Sequence, residues 1–315
     1  MTAMTTTEYT ISNTFDLEGI DIAVNGYPKG HKHQAFVPDL DENYRFRRDI
    51  LMTVAAWWQM EESPLYLWGP MGTGKTSVLL QMAARLNIPV QLVSCHDRLE
   101  TPDLIGRYVL NDEGGMDFID GPLTTAMRFG HLLILDEIDY LNPATAAGMN
   151  GLREGLPLTI PETGETVRPA EGFKLAVTGN TNGMGDDLNV YPGINRMNQA
   201  FLDGFAGLEV GYPEKQTEVE ILKSVMPDQD DSVLEAMVSV ADSVRSLFMG
   251  NPNADEDNAI EVTMSTRTLV RWARWRLMAD NHPKPWEFSM ERALGWRTSP
   301  ETKAVINGII DRVFG

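Results

Sequence analysis

Two short segments carry side chains whose types and spacing suit them to act together. The first is Gly69-Pro70-Met71-Gly72-Thr73-Gly74-Lys75-Thr76, which fits the pattern G-x-x-x-x-G-K-[ST]. Glycines in such a loop let backbone N–H groups curl around phosphate oxygens, and a helix that follows aims its positive end at them. Lys75 would neutralise charge on the two outer phosphates of a nucleoside triphosphate, and the Thr76 hydroxyl would ligate Mg²⁺. The second segment is His131-Leu132-Leu133-Ile134-Leu135-Asp136-Glu137. It delivers two adjacent carboxylates at the end of an apolar strand, where ligands of parallel sheets bind. Successive strand side chains diverge, so the two acids can do different jobs. Asp136 would hold the metal, while Glu137 would orient and deprotonate the attacking water. A chance glycine turn accounts for the first segment alone, and exposed acids at a strand end for the second. Their succession in this order, with a strand before the loop and a helix after it, points to ATP hydrolysis with Mg²⁺.

Two further residues fit that chemistry. Asn180 follows an apolar run in Leu175-Ala-Val-Thr-Gly-Asn-Thr-Asn182, where an amide could position the water and sense the outer phosphate; Asn182 is its rival in the same loop. Arg267, in Met264-Ser-Thr-Arg-Thr268, opens a helix from which a guanidinium could reach the phosphates. Arg271 and Arg274 continue one side of that helix and read as solvated or interfacial. His31 and His33 lack a third ligand nearby and read as a solvated loop rather than a metal site. Trp57, Trp58, Trp272 and Trp275 read as packing residues.

The elements needed to position these groups follow from pattern. Leu65-Tyr66-Leu67-Trp68 is a short apolar run feeding the glycine loop, and Val78, Leu79, Met82, Ala83 and Leu86 make one face of the helix behind it. Further strands are expected over 90–94, 132–135, 173–178 and 208–211, that at 132–135 uninterrupted and apolar as buried parallel strands are. Strands alternating with helices predict an α/β fold with a five-stranded parallel sheet wrapped on both faces. A helix is expected from about Glu42, and another from the Asn142-Pro143 cap toward Glu154. Beyond Tyr212-Pro213 the pattern is helical, with helices expected at 214–225, 232–248, 265–280 and 299–313, capped by Ser265 and Ser299, and a polar loop at 251–257. The expected division is a polar extension at 1–41, a nucleotide-binding core at 42–212 and a helical lid at 213–315.

The bulk numbers narrow the class. Among 315 residues, 43% are hydrophobic, enough for a sizeable core, and the formal net charge is -19. An acidic surface repels nucleic acid and anionic lipid, so neither is an expected partner. The single cysteine, Cys95, cannot form an intrachain disulfide. The first 15 residues lack the basic start and apolar run of a secretion signal, and no stretch has the apolar length of a membrane span; the reading is cytoplasmic.

Phosphate loop, Asp-Glu strand, asparagine after the next strand, then a helical unit with Ser-Thr-Arg: this order resembles the AAA+ ATPases. Gly121-Pro122-Leu123 and Thr101-Pro102-Asp103-Leu104-Ile105-Gly106 resemble the MoxR branch. Closer similarity, to the ATPase subunits of aerobic cobaltochelatases, lies in Val37-Pro38-Asp39-Leu40-Asp41, Thr178-Gly-Asn-Thr181, Ile194-Asn-Arg-Met-Asn-Gln199 and Met264 to Trp272. The resemblance implies an AAA+ core with a lid, a homo-hexameric ring with ATP between subunits, and a protein partner carrying a metal-ion-adhesion-type domain. It also implies two insert hairpins, at 109–118 and 158–167. Relatives carry an arginine in a Leu-Asp-Arg-aromatic segment that reaches the neighbouring subunit's site; here the segment is Leu202-Asp203-Gly204-Phe205, and Gly204 supplies no charge. Arg196, a few residues earlier and expected on the same helix, is the candidate replacement; otherwise hydrolysis is slow or needs a partner.

Overall fold

The chain begins with a small antiparallel pair, β1 (Thr7–Thr10) and β2 (Ala23–Gly26), with the short helix α1 (Ile11–Phe15) between them. The structure is a computed structural model and describes residues 6–19, 23–60, 64–186, 190–249, 251 and 259–315. Ile11, Phe15, Val24 and Tyr27 are buried in the same cluster as the helix that follows, so this segment packs onto the core. That helix, α2 (Arg48–Gln59), starts later than the pattern from Glu42 predicts. The chain over 41–47 is tied elsewhere: the Asp41 carboxylate accepts from the Asn43 N–H at 2.9 Å, and Arg47 donates to the Gly211 carbonyl at 2.6 Å. Phe46 packs edge-on against Phe15, ring centres 5.0 Å apart.

From here strands and helices alternate. They are β3 (Leu65–Trp68), α3 (Lys75–Arg85), β4 (Val90–Ser94) and α4 (Thr101–Ile105), then the hairpin of β5 (Gly106–Leu110) and β6 (Met116–Asp120). Next come α5 (Pro122–Phe129), β7 (Leu132–Asp136), the short helices α6 (Pro143–Gly148) and α7 (Asn150–Arg153), and a second hairpin of β8 (Leu158–Thr159) and β9 (Thr166–Val167). The core closes with β10 (Lys174–Gly179), α8 (Gln199–Leu202) and β11 (Ala206–Glu209). The single helix expected after Asn142 is thus two pieces. Asn142 caps the first by accepting from Ala144 N–H, and Met149, at φ -94° and ψ 5°, interrupts the helical dihedrals.

The five parallel strands lie in the order β11-β3-β10-β7-β4. Side chains alternate across the sheet. Leu65, Leu67, Leu132, Ile134 and Ala176 join the cluster under α2 and α3, while Tyr66, Leu133, Leu135, Leu175 and Val177 join the cluster on the opposite face. Burial on both sides is why these strands read as unbroken apolar runs. The register sets Thr178 beside Leu67, and Val177 beside Leu135. The C-terminal ends of β3, β7 and β10 therefore finish together.

The C-terminal part is helical: α9 (Lys215–Val225), α10 (Asp231–Leu247), α11 (Thr266–Leu277), α12 (Pro285–Ala293) and α13 (Pro300–Phe314). It has its own hydrophobic cluster around fully buried Trp272. Helix α12 is additional to the four the pattern predicts; Pro285 occupies its first turn, where proline is tolerated. The polar loop expected at 251–257 lies outside the described residues apart from Asn251.

Candidate active site

The turn between β3 and α3 is built by glycine. Gly72 (φ +78°) and Gly74 (φ +92°) occupy the left-handed region that favours glycine. At Gly72 a Cβ would also lie 2.4 Å from Cβ of Ser265, the residue that caps α11. The loop thereby points at the first turn of α3, whose N–H groups have no partner within the helix. Lys75 folds back over the loop. Its ammonium donates to the Gly69 carbonyl at 2.8 Å, the Pro70 carbonyl at 3.0 Å and Asn180 Oδ1 at 3.2 Å. The Thr73 hydroxyl also donates to the Pro70 carbonyl, at 3.0 Å. Burial lowers the Lys75 pKa to about 8, with Arg267 adding to the shift, while Asp139, Asp136 and Glu137 oppose it.

The two acids of β7 do diverge. Asp136 Oδ1 accepts from the hydroxyls of Thr76 and Thr178, both at 2.5 Å. Thr76 and Asp136 thus present hard oxygen donors side by side at the start of α3, a donor set that suits Mg²⁺, which binds through one or two protein oxygens and keeps several waters. Glu137 sits at φ +58° and ψ 47°, left-handed for a non-glycine residue, which costs on the order of 1–3 kcal/mol. That turn leaves its carboxylate exposed while its N–H donates to Thr178 Oγ1 at 3.1 Å. Partial desolvation raises the Glu137 pKa, and the neighbouring charges of Asp136 and Asp139 add to it.

Of the two asparagines in the 180–182 loop, Asn180 is the one that reaches Lys75. Asn182 is exposed, and its side chain accepts from Met184 N–H at 3.2 Å, closing a local turn. Asn180 is held by a residue the sequence reading passed over: the fully buried Asp139 accepts from the N–H groups of Asn180 at 2.6 Å and Thr181 at 3.0 Å. Its other oxygen, Oδ1, has no hydrogen-bond partner, and burial raises its pKa. A third acid in Asp136-Glu137-Ile138-Asp139 was the available signal.

Arg267 is exposed on the first turn of α11 and lines a cleft of about 460 Å³ between the phosphate loop and the helical part, together with Gly72, Thr73 and Gly74. Arg271 and Arg274 line this cleft too, as do Arg45 and Arg47, so five arginines line it in a chain of net charge -19. Arg271 and Arg274 are exposed, as expected, and the side of the helix they share lines this cleft. Arg196 is not on a helix. It is exposed in the irregular segment before α8, beside Gly185, and does not line the cleft; Gly204 lies in the turn between α8 and β11.

One minor expectation is corrected. His33 is buried, its ring centre 4.8 Å from those of Phe129 and His131, so it is packed rather than solvated. Trp275 is 40% exposed, whereas Trp57, Trp58 and Trp272 are buried. Among the described residues no group of three or more His, Cys, Asp or Glu could hold a metal ion, and no helix is long and apolar enough to cross a membrane.

A parallel sheet ending in a glycine loop, a Lys-Thr pair, an Asp-Glu pair and an asparagine contacting the lysine, with a helical lid alongside, defines a P-loop ATPase of the AAA+ class. Residues 64–203 match the AAA domain (dynein-related subfamily), and residues 218–313 match the CbbQ/NirQ/NorQ C-terminal family. The aerobic cobaltochelatase subunit CobS of a Sinorhizobium species is 31% identical over 262 residues, covering 80% of this chain and 76% of that protein. Protein NorQ of Paracoccus denitrificans is 32% identical over 253 residues, covering 80% of this chain and 87% of that protein. A solved variant of RuvB from Thermotoga maritima shares the fold at a TM-score of 0.50 and 16% identity, over 78% of this chain and 67% of its own. The chain belongs to the MoxR-type AAA+ ATPases, of the CbbQ/NorQ/CobS kind.

Proposed function

We propose that the protein is a ring-forming ATP-driven motor that remodels a partner protein, with 42–212 as its nucleotide-binding core and 213–315 as its lid. The observation that carries this reading is the convergence of Lys75, Thr76, Asp136, Glu137 and Asn180 at one end of the sheet, with Arg267 lining a cleft beside Gly72, Thr73 and Gly74 and near enough for its charge to act on Lys75 and Glu137. In this reading the loop N–H groups of residues 69–76 and the Lys75 ammonium grip the triphosphate. Thr76 and Asp136 hold Mg²⁺, which when bound neutralises charge on the phosphates. Glu137, exposed and with a raised pKa, takes the proton of the attacking water, which Asn180 helps to orient. Arg267 stabilises the outer phosphate from the lid. Arg196, exposed and outside the cleft of its own subunit, would serve a neighbouring subunit in a homo-hexamer. Kinship with a cobaltochelatase subunit supports a role in driving metal insertion, cobalt included, through a partner with a metal-ion-adhesion-type domain. Kinship with NorQ allows the same engine a different client.

The glycine at 204 favours one alternative, an ATP-binding switch with little turnover. ATP turnover per subunit, measured against protein concentration alongside light scattering, separates the two. A motor turns over faster as rings assemble; a negligible rate that stays flat through assembly supports the switch. Capture with a Glu137→Gln variant, which would stall in the ATP-bound state, identifies the client.

A further inference from the structure

A buried charged unit outside every motif above connects the lid to the phosphate loop. Glu218 on α9 is fully buried and pairs bidentately with Arg245 on α10, whose Nη1 and Nη2 each donate to one carboxylate oxygen at 2.7 Å. The same guanidinium donates through Nε to the Met264 carbonyl at 2.7 Å and through Nη1 to Asp242 at 3.1 Å. It also lies over the Tyr212 ring, 4.2 Å from its centre. Glu218 Oε1 accepts a further bond from the Thr266 hydroxyl at 2.7 Å. At the other end, the Tyr212 hydroxyl donates to the carbonyl of Met71 in the phosphate loop at 3.4 Å and lies 3.3 Å from Thr263 Oγ1.

These contacts form one connected path: loop carbonyl, Tyr212, Arg245, Glu218, Thr266. Thr266 opens α11 and immediately precedes Arg267. Helix packing alone does not call for such a unit, since apolar side chains of similar volume often stabilise a core as well as a buried ion pair. What the pair adds is direction. Besides the bond to Asp242, its extra bonds end on Met264 and Thr266 at the start of α11, and the guanidinium packs on the ring of Tyr212 at the junction between sheet and lid. Planar bidentate pairing fixes both side chains in one orientation. The close approach of Gly72 to Ser265 is a second tie between the loop and the start of α11.

We propose that the Glu218–Arg245 pair is a positioning unit that fixes the first turn of α11, and with it Arg267, relative to the phosphate loop. Lid placement and chemistry at the phosphates then move together. This rests on the reading of Arg267 as a phosphate-facing residue.

The test is a double-mutant cycle in the full chain, read as steady-state ATP turnover. Thr266→Val removes one bond to Glu218 and leaves the ion pair in place. It should lower kcat about tenfold with KM changed less than about twofold, and Thr266→Ser should restore the rate. In an Arg267→Ala background the same change should cost less than about twofold more, because its effect runs through the missing guanidinium. An equal loss in both backgrounds, or an unchanged kcat in Thr266→Val, overturns the positioning unit while leaving Arg267 in its role. An unchanged kcat in Arg267→Ala overturns the role of Arg267 and the unit with it. If Thr266→Val does not fold, Tyr212→Phe, which keeps the ring under Arg245 and breaks the bond to Met71, is read in the same two backgrounds against the same criteria.

Discussion

Raising the pH perturbs the phosphate loop at its central charge. Lys75 is 8% exposed, and burial brings its pKa down to about 8 in the free protein. A bound triphosphate puts negative charge beside the ammonium and raises that pKa again. Below pH 8 the lysine is protonated in both free and bound forms, and affinity is flat. Above pH 8 the free protein has lost a proton that the complex retains, so binding takes one up and affinity falls by up to about tenfold per pH unit. At pH 8.5 about three quarters of the free lysines are neutral, and binding should take up about 0.75 proton; at pH 9 affinity should be about a tenth of its plateau. Calorimetric titration with ATP in two buffers of different ionisation enthalpy reads the proton count directly. Omitting magnesium keeps metal binding from adding its own pH dependence. Folding responds with the opposite sign. The folded-state pKa lies below the 10.5 of an unperturbed lysine, so the unfolded chain binds more protons between about pH 8 and 10.5. This group's contribution to stability therefore rises with pH through that window. Zero proton uptake and a flat affinity from pH 7 to 9.5 would refute the buried, carbonyl-caged lysine.

Gly72→Ala should reduce ATP affinity at least tenfold and lower stability by about 1–2 kcal/mol or more, since φ is +78° and the added Cβ meets Ser265; equilibrium binding and denaturant unfolding check both. Glu218→Ala strands a buried arginine and should destabilise the chain by about 3–5 kcal/mol, read by the same unfolding experiment. Arg196→Ala should slow hydrolysis at least tenfold at protein concentrations where rings form and leave the dilute protein unchanged; equal rates in the assembled state would remove Arg196 from the reaction.

What could be read from the sequence was what is local in it. The phosphate loop and the Asp136-Glu137 pair are contiguous runs whose chemistry and flanking elements lie within about ten residues. The central strands β3, β7 and β10 announced themselves because burial on both faces demands apolar runs, whereas the edge strand β11, largely exposed, lies two residues earlier than its pattern predicts. The parts that escaped depend on partners far along the chain. Asp139 matters through the N–H groups 41 and 42 residues later, and Glu218 through Arg245, 27 residues on. His33 looks polar and loop-bound until Phe129 and His131 close over it. The late start of α2 is set by Arg47 reaching across 164 residues to Gly211, a contact no local pattern contains. Arg271 and Arg274 read as solvated or interfacial and are exposed; that they line a cleft with Gly72, Thr73 and Gly74 depends on a loop far earlier in the chain.

The central claim is a division of labour between grip and chemistry, and Glu137→Gln separates them. ATP affinity and turnover of this variant, measured beside the native chain with magnesium present, are the direct test. The structure predicts affinity within a few-fold of native, because the Lys75 hydrogen bonds go to Gly69, Pro70 and Asn180 rather than to Glu137, and turnover reduced by about a hundredfold or more. Native turnover in Glu137→Gln would contradict the account.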